Sequence, residues 1–112
     1  MDNCLFCKFN TGEIEVEKIF ENENFFVIRD INPQAPVHLL AIVKHHYKVF
    51  EDMDANDKKV FGEILFEISQ HKKEWGIENG YRILVNQGKD ANQTVPHLHI
   101  HILGGKNLGD NF

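Results

Sequence analysis

The chain has two cysteines, three prolines and no apolar run near the 18 or so residues that would span a bilayer. Two cysteines are too few for the disulfide framework of a small secreted domain. The polar start Met1-Asp2-Asn3-Cys4 is not a signal peptide. A reducing, cytoplasmic setting is therefore expected, with no structural disulfide and no membrane partner. Basic residues are also in deficit. Twelve Lys and Arg against 17 Asp and Glu give a formal charge of −5, which argues against sequence-independent binding to nucleic acid. A nucleotide pocket stays open, because a few local donors suffice for one or two phosphates. Repeats, linkers and low-complexity segments are missing too. At 112 residues the chain is expected to form one domain over residues 1–112 around a single core.

What is abundant is histidine. Of seven, six fall in two patches: His38, His45 and His46, then His97, His99 and His101. The second patch lies in Pro96-His97-Leu98-His99-Ile100-His101-Ile102-Leu103-Gly104-Gly105, where polar and apolar residues alternate with the period of a half-buried strand. That pattern points three imidazoles to one face, roughly 6–7 Å apart, and Leu98, Ile100 and Ile102 to the other. Packing requires no such row of rings, so the face is read as one that does chemistry or binds metal. His71 is isolated in a polar helical turn and is read as a solvated surface residue.

Taken in order, Cys4 and Cys7 make a Cys-x-x-Cys on a short helical turn, with Leu5 and Phe6 as packing residues, ending at Thr11-Gly12. A thioredoxin-like redox pair should follow a strand, for which position 4 leaves little room, so half of a zinc site is the better reading. Ile14, Val16, Ile19 and Phe20 suggest a first strand, and Phe25 to Arg29 a second. The loop Asp30-Ile31-Asn32-Pro33-Gln34-Ala35-Pro36 leads to an apolar third strand, Val37 to Val43, whose one polar side chain, His38, is either a core residue or a partner for the triad. Asp52, Asp54 and Asp57 open the one long helix, with Val60, Phe61, Ile64, Leu65 and Ile68 at helical spacing. Trp75 lies near its end and Gly76 fits its C′ position. Phe61 and Phe66, on different sides, allow a partner interface. Tyr81 to Asn86 is a fourth strand, the triad a fifth, and the glycine-rich tail from Gly104 to Phe112 is expected to be loosely held. The fold class is α+β: an antiparallel five-stranded meander with one long helix and a short N-terminal one.

Three chemistries compete for the triad: a catalytic metal, a structural metal borrowing one histidine, and covalent catalysis by a neutral imidazole. Carboxylates are scarce nearby, Asp90 being the only one between Glu78 and the triad. Asn86, Gln93, Thr94 and His38 instead offer neutral donors suited to phosphoryl oxygens. Covalent catalysis fits these neighbours better.

The residues then resemble a known family, the histidine triad (HIT) nucleotide-binding hydrolases, in particular their Hint branch. The match includes His97 to Gly105, Ile19-Phe20-Glu21, Asp30 to Leu40, Lys44 with His46, Gly80-Tyr81-Arg82, Val85-Asn86 and Gln93-Thr94-Val95, covering about residues 4–105. The resemblance implies His99 as nucleophile, forming a nucleotidyl-histidine intermediate. It implies His101 at the α-phosphate and leaving group, and His38 behind the nucleophile. It further implies Asn86, Gln93 and Thr94 as phosphate donors, Asp30 on the ribose hydroxyls, and Ile19, Phe20, Ile31 and Leu40 as apolar walls around base and sugar. The reaction would be hydrolysis of a purine nucleoside 5′-phosphoramidate, or a related α-phosphate linkage, to the monophosphate (AMP or GMP derivatives), with no cofactor in the chemical step. A structural zinc would be held by Cys4, Cys7, His46 and His97, His46 being selected over His45. A homodimer joined through the long helix and fourth strand is implied as well. The alternatives are a nucleotide-binding regulatory protein with little turnover and a zinc-dependent hydrolase. Three departures from the family pattern stand out: Val43 where proline is common, Asn92 where glycine is usual, and no Trp-Pro-Pro-Gly-type extension before Phe112. A glycine at 92 would permit φ > 0, and asparagine is the next-best residue for that.

Overall fold

In the computed structural model, which describes residues 3–110, five strands form one antiparallel sheet with a helix on either side in sequence of the first three. The elements are α1 (Leu5–Thr11), β1 (Phe20–Glu21), β2 (Phe25–Arg29), β3 (Val37–Val43), α2 (Ala55–Gln70), β4 (Tyr81–Leu84) and β5 (His99–Gly104). This is the α+β fold expected. The strand order is β1-β2-β3-β5-β4, so one step departs from a plain meander: β5 lies between β3 and β4. The long connection through α2 lets β4 skip one position. The interior slot goes to the more apolar strand, since β5 is buried except at His101 while β4 is half-buried throughout.

The first strand is shorter than its alternation suggests. Ile14 and Val16 make no ladder; Val16 packs its side chain against the cluster of Phe26, Ile28, Leu40 and Ile42 without strand pairing. Helix α2 starts on a reciprocal capping box between Asp54 and Asp57. It buries Val60, Ile64 and Ile68 and leaves Leu65 and Phe66 exposed. It stops at Gln70, earlier than Trp75, because the His71 N–H is shared between the carbonyls of Glu67 and Ile68 and the chain tightens. That turn carries Trp75 and Ile77 into the core, and Gly76 then takes the left-handed conformation expected of it, at φ +77°. His71 is not the solvated residue its surroundings suggest. Its ring stacks on Trp75 at 4.8 Å and meets Phe20 edge-on at 5.1 Å.

The sheet has two covered faces. Val27, Leu39, Ala41, Leu98, Ile100 and Ile102 pack with α2 on one, as the alternation predicts. Phe26, Ile28, Leu40 and Ile42 pack with Cys4 and Phe6 on the other. At the far end of β5 the backbone passes under Ile77: a Cβ on Gly104 would lie 2.7 Å from Ile77 Cγ2. The tail is fastened rather than loose as far as Gly109, whose carbonyl accepts a 2.6 Å bond from Arg82 Nη2. Asn111 and Phe112, and Met1 and Asp2 at the other end, lie outside the described residues. Among the described residues no helix is long and apolar enough to cross a membrane.

Candidate active site and metal centre

Register builds the histidine face. In the β3–β5 ladder Ile42 opposes His99, Leu40 opposes His101 and His38 opposes Leu103. Directly opposed residues share a face, so His38 joins His99 and His101 on the side away from α2. His97, just before β5, is fully buried at the strand's start.

Three of the rings, those of His97, His99 and His38, have their protons set by a backbone group. His97 Nε2 lies 2.6 Å from the Val43 carbonyl, which can only accept, so His97 is protonated at Nε2 and bare at Nδ1. Burial, with His46 and His99 close by, holds His97 down to about 4, so the ring is neutral. His99 Nδ1 lies 2.8 Å from the His97 carbonyl and must donate to it. Its Nε2 therefore carries a free lone pair. Burial lowers the basicity of His99 as well, keeping the ring uncharged. Its plane is fixed by Phe6, edge-on at 5.0 Å.

His38 is oriented the other way. The Gln34 N–H donates to His38 Nδ1 at 3.0 Å, so the proton is on Nε2. That nitrogen lies 3.0 Å from His101 Nδ1 and 3.4 Å from Asp30 Oδ2. When that proton is directed to His101, His101 accepts at Nδ1 and carries its own proton at Nε2. Burial, and the neighbouring His99 and His38, hold His101 at about 4. His38 thus sits behind His101, not behind His99 where the resemblance put it. A cavity of about 380 Å³ opens beside it, lined by His38, Arg82, Leu84, Asn86, His101 and Leu108, among others.

The remaining candidates divide. Asn86 lines the cavity, and Leu40 adjoins His101 across the ladder. Ile31 is 90% exposed next to Asp30, whose Oδ1 accepts from the Asn32 N–H at 2.8 Å. Ile19 and Phe20 pack with the α2-side cluster, Phe20 stacked on Phe25 at 5.3 Å, so the sheet does not bring them to the histidine face. Gln93 is occupied by the backbone: Oε1 accepts from Gly88 N–H at 2.9 Å and Nε2 donates to the Lys48 carbonyl at 2.9 Å. It braces the loop instead of offering a free amide. Thr94 is exposed beside it. In the same loop Asn92 stands at φ +57°, the only non-glycine with positive φ among the described residues, which accounts for the glycine usual there. Sequence reasoning missed Phe6, the Gln34 N–H and the Val43 carbonyl as orienting groups. It also missed Arg82 and Leu84 in the cavity wall; β4 alternation would place them together, but only once its pairing with β5 is known.

At the start of β5 four donors converge. His97 Nδ1 is 3.3 Å from Cys4 Sγ, 3.7 Å from Cys7 Sγ and 3.0 Å from His46 Nδ1, and Cys7 Sγ is 3.3 Å from His46 Nδ1. Bonds of about 2.0 Å to nitrogen and about 2.3 Å to sulfur at tetrahedral angles require N···N near ~3.3 Å and N···S near ~3.5 Å. The donor set fits a tetrahedral, thiophilic cation. Without one, burial and the neighbouring Cys4 push the Cys7 thiol up to about 11. His45 does not join the cluster. Its Nδ1 lies 2.8 Å from buried Asp57 at the start of α2.

The HIT domain family model matches residues 11–108. An uncharacterized HIT-like protein of Chlamydia muridarum is 47% identical over 105 residues, covering 94% of this chain and 83% of that protein. Among solved structures, a HIT family hydrolase from Clostridium thermocellum is similar with a TM-score of 0.92 at 37% identity, over 100% of this chain and 98% of that one. A zinc-bound histidine triad family protein from Mycobacterium smegmatis is similar with a TM-score of 0.83 at 32% identity, over 97% and 79% of the two chains.

Proposed function

The chain belongs to the HIT family, and from that premise we propose that it is a nucleotide-binding hydrolase that cleaves purine nucleoside 5′-phosphoramidates, or related α-phosphate linkages, through a nucleotidyl intermediate on His99. The observation that carries this reading is the tautomer of His99. Its Nδ1 proton is held by the His97 carbonyl at 2.8 Å, so Nε2 carries a bare lone pair on a neutral ring. In the first step that lone pair attacks the α-phosphorus and the bond from phosphorus to the leaving amine breaks. The departing nitrogen takes a proton from water. His101, holding its proton at Nε2, donates to a phosphoryl oxygen and stabilises the charge developing there. In the second step the hydroxide left by that proton transfer attacks phosphorus, the P–Nε2 bond breaks, neutral His99 returns and the monophosphate leaves. Asn86 at the cavity wall, with Thr94, supplies further donors, while Gln93 acts through the loop it braces. Asp30 takes the ribose hydroxyls, and the apolar surface for the base comes from exposed Ile31 and from Leu40.

Cys4, Cys7, His46 and His97 would hold one structural zinc, the naming of the M. smegmatis neighbour as zinc-bound being consistent with that. All four positions are taken by protein, so the ion would cross-link α1 to β5 and supply no step of the reaction. The open edge of β4 and the exposed Phe66 on α2 support a homodimer.

The test is single turnover of adenosine 5′-phosphoramidate by wild type and His99→Ala. Wild type is expected to release AMP through an acid-labile adenylyl-protein. The variant is expected to lose at least about a thousandfold in rate, with its melting temperature and metal content unchanged. Full activity in the variant sinks the mechanism.

A further inference from the structure

His38 Nε2 has one proton and two acceptors. Its Nδ1 is filled by the Gln34 N–H, so the proton on Nε2 is the one it can give, and it meets both His101 Nδ1 at 3.0 Å and Asp30 Oδ2 at 3.4 Å. These three side chains have donor atoms within 4.8 Å of one another, close enough for a metal ion. The Gln34 N–H argues against that use. A ring that accepts at Nδ1 is protonated at Nε2 and has no lone pair there to give a cation. What the three groups share is a proton.

Asp30 is placed for a second task. Its Oδ1 is already engaged by the Asn32 N–H, leaving Oδ2 turned to His38. Its side chain is 18% exposed, so a ligand can reach it. The shorter contact favours His101, but an ionised carboxylate is the stronger acceptor. The balance between them depends on what else Asp30 is bonded to. His99, its ring 5.0 Å from that of His101, is the other titratable group facing this proton.

We propose that Asp30 is a positioning residue for His101: unsatisfied, it draws the His38 proton toward itself, and ribose hydroxyls that donate to it return that proton to His101. The inference rests on the reading of Asp30 as the ribose-binding carboxylate. Nucleoside recognition then sets the orientation of the phosphate donor, through one ring and no movement of the backbone. A substrate without the two hydroxyls still binds, but it meets a His101 whose Nδ1 has lost its partner and whose Nε2–H is no longer fixed toward the phosphoryl oxygen.

The experiment compares kcat and KM for adenosine 5′-phosphoramidate and its 2′,3′-dideoxy counterpart in wild type and Asp30→Ala. In wild type the dideoxy substrate is expected to raise KM and also to lower kcat by about tenfold, the scale of one charge-assisted hydrogen bond. Asp30→Ala is expected to bind both substrates weakly yet turn over the dideoxy substrate with a kcat above that of wild type. If Asp30 only grips the sugar, KM alone changes and the variant gains nothing; that result overturns the proposal. A wild type inactive on the ribose substrate counts against the functional reading itself, and the proposal is then read by long-range ¹⁵N–¹H spectra of the histidine rings. There, AMP but not 2′,3′-dideoxy-AMP is expected to shift His101 toward the Nε2–H form, and Asp30→Ala to do so without nucleotide. Identical His101 spectra in all four states overturn it.

Discussion

Two histidine clusters flank His99 on the same strand, and they differ in which way the backbone addresses the rings. At His97 a carbonyl, Val43 O, takes the outer proton, so a lone pair is turned inward to meet two sulfurs and a second imidazole. At His38 an amide, Gln34 N–H, fills the outer nitrogen, so a proton is turned inward to meet His101 and Asp30. Converging lone pairs suit a cation; a proton between acceptors suits a relay. One backbone atom turns each ring, and composition agrees with it: two thiols join the two histidines of the first cluster, one carboxylate those of the second.

The largest effect expected from breaking this contrast is at the first cluster. Cys4→Ala should reduce bound zinc from one per chain to near zero and destabilise the fold by several kcal/mol, about the scale of losing a structural metal from a domain that retains its own core. Metal analysis with chemical denaturation reads both. The fraction that stays folded should keep single-turnover activity within about threefold, since an ion closed in by four protein ligands would take no part in the step. At the second cluster His38→Ala should do the opposite. It should leave zinc at one per chain and lower the rate by about tenfold to a hundredfold by freeing His101 to rotate. Rates and zinc content measured on the same preparation separate the two clusters; zinc loss in His38→Ala would merge them.

The smallest effect is on acid stability. His101 stands at about 4 in the fold, mainly through burial, against an ordinary value of 6.5. The unfolded chain binds that proton more readily. The contribution is therefore intact above pH 6.5 and is lost as the pH falls from there toward 4. In denaturation midpoints at pH 7.5 and 4.5, His101→Gln should narrow the gap seen in wild type. An unchanged gap would mean His101 titrates alike folded and unfolded.

Much of this was legible in sequence because strong patterns are local. The alternation from His97 to Leu103 and the helical spacing from Val60 to Ile68 each specify a face without reference to the rest of the chain. The alternation at Ile14 and Val16 looked the same and yielded no strand, because pairing needs a partner's backbone, which no local pattern records. The insertion of β5 inside β4 is invisible for that reason too. It also hid the placement of His38, which follows from a ladder register between distant segments. Gln93 shows a related blind spot. An amide near the triad is legible, but the backbone groups it satisfies, at Gly88 and Lys48, are known only from the closed loop.

Gly104 has a consequence for how faithfully the chain folds. A His-x-His-x-His strand matches itself when slid by two residues: the apolar face stays apolar and the imidazole face keeps two of its rings. Pattern alone therefore leaves misaligned ladders nearly as good as the native one. The space under Ile77 does not allow them. A slide in one direction puts Lys106 there and in the other Ile102, and either brings a Cβ to where Ile77 Cγ2 is only 2.7 Å away. The second slide also places Val95 where His97 meets the cysteines. A missing side chain at one end of β5 and a full set of donors at the other leave this self-similar strand a single alignment.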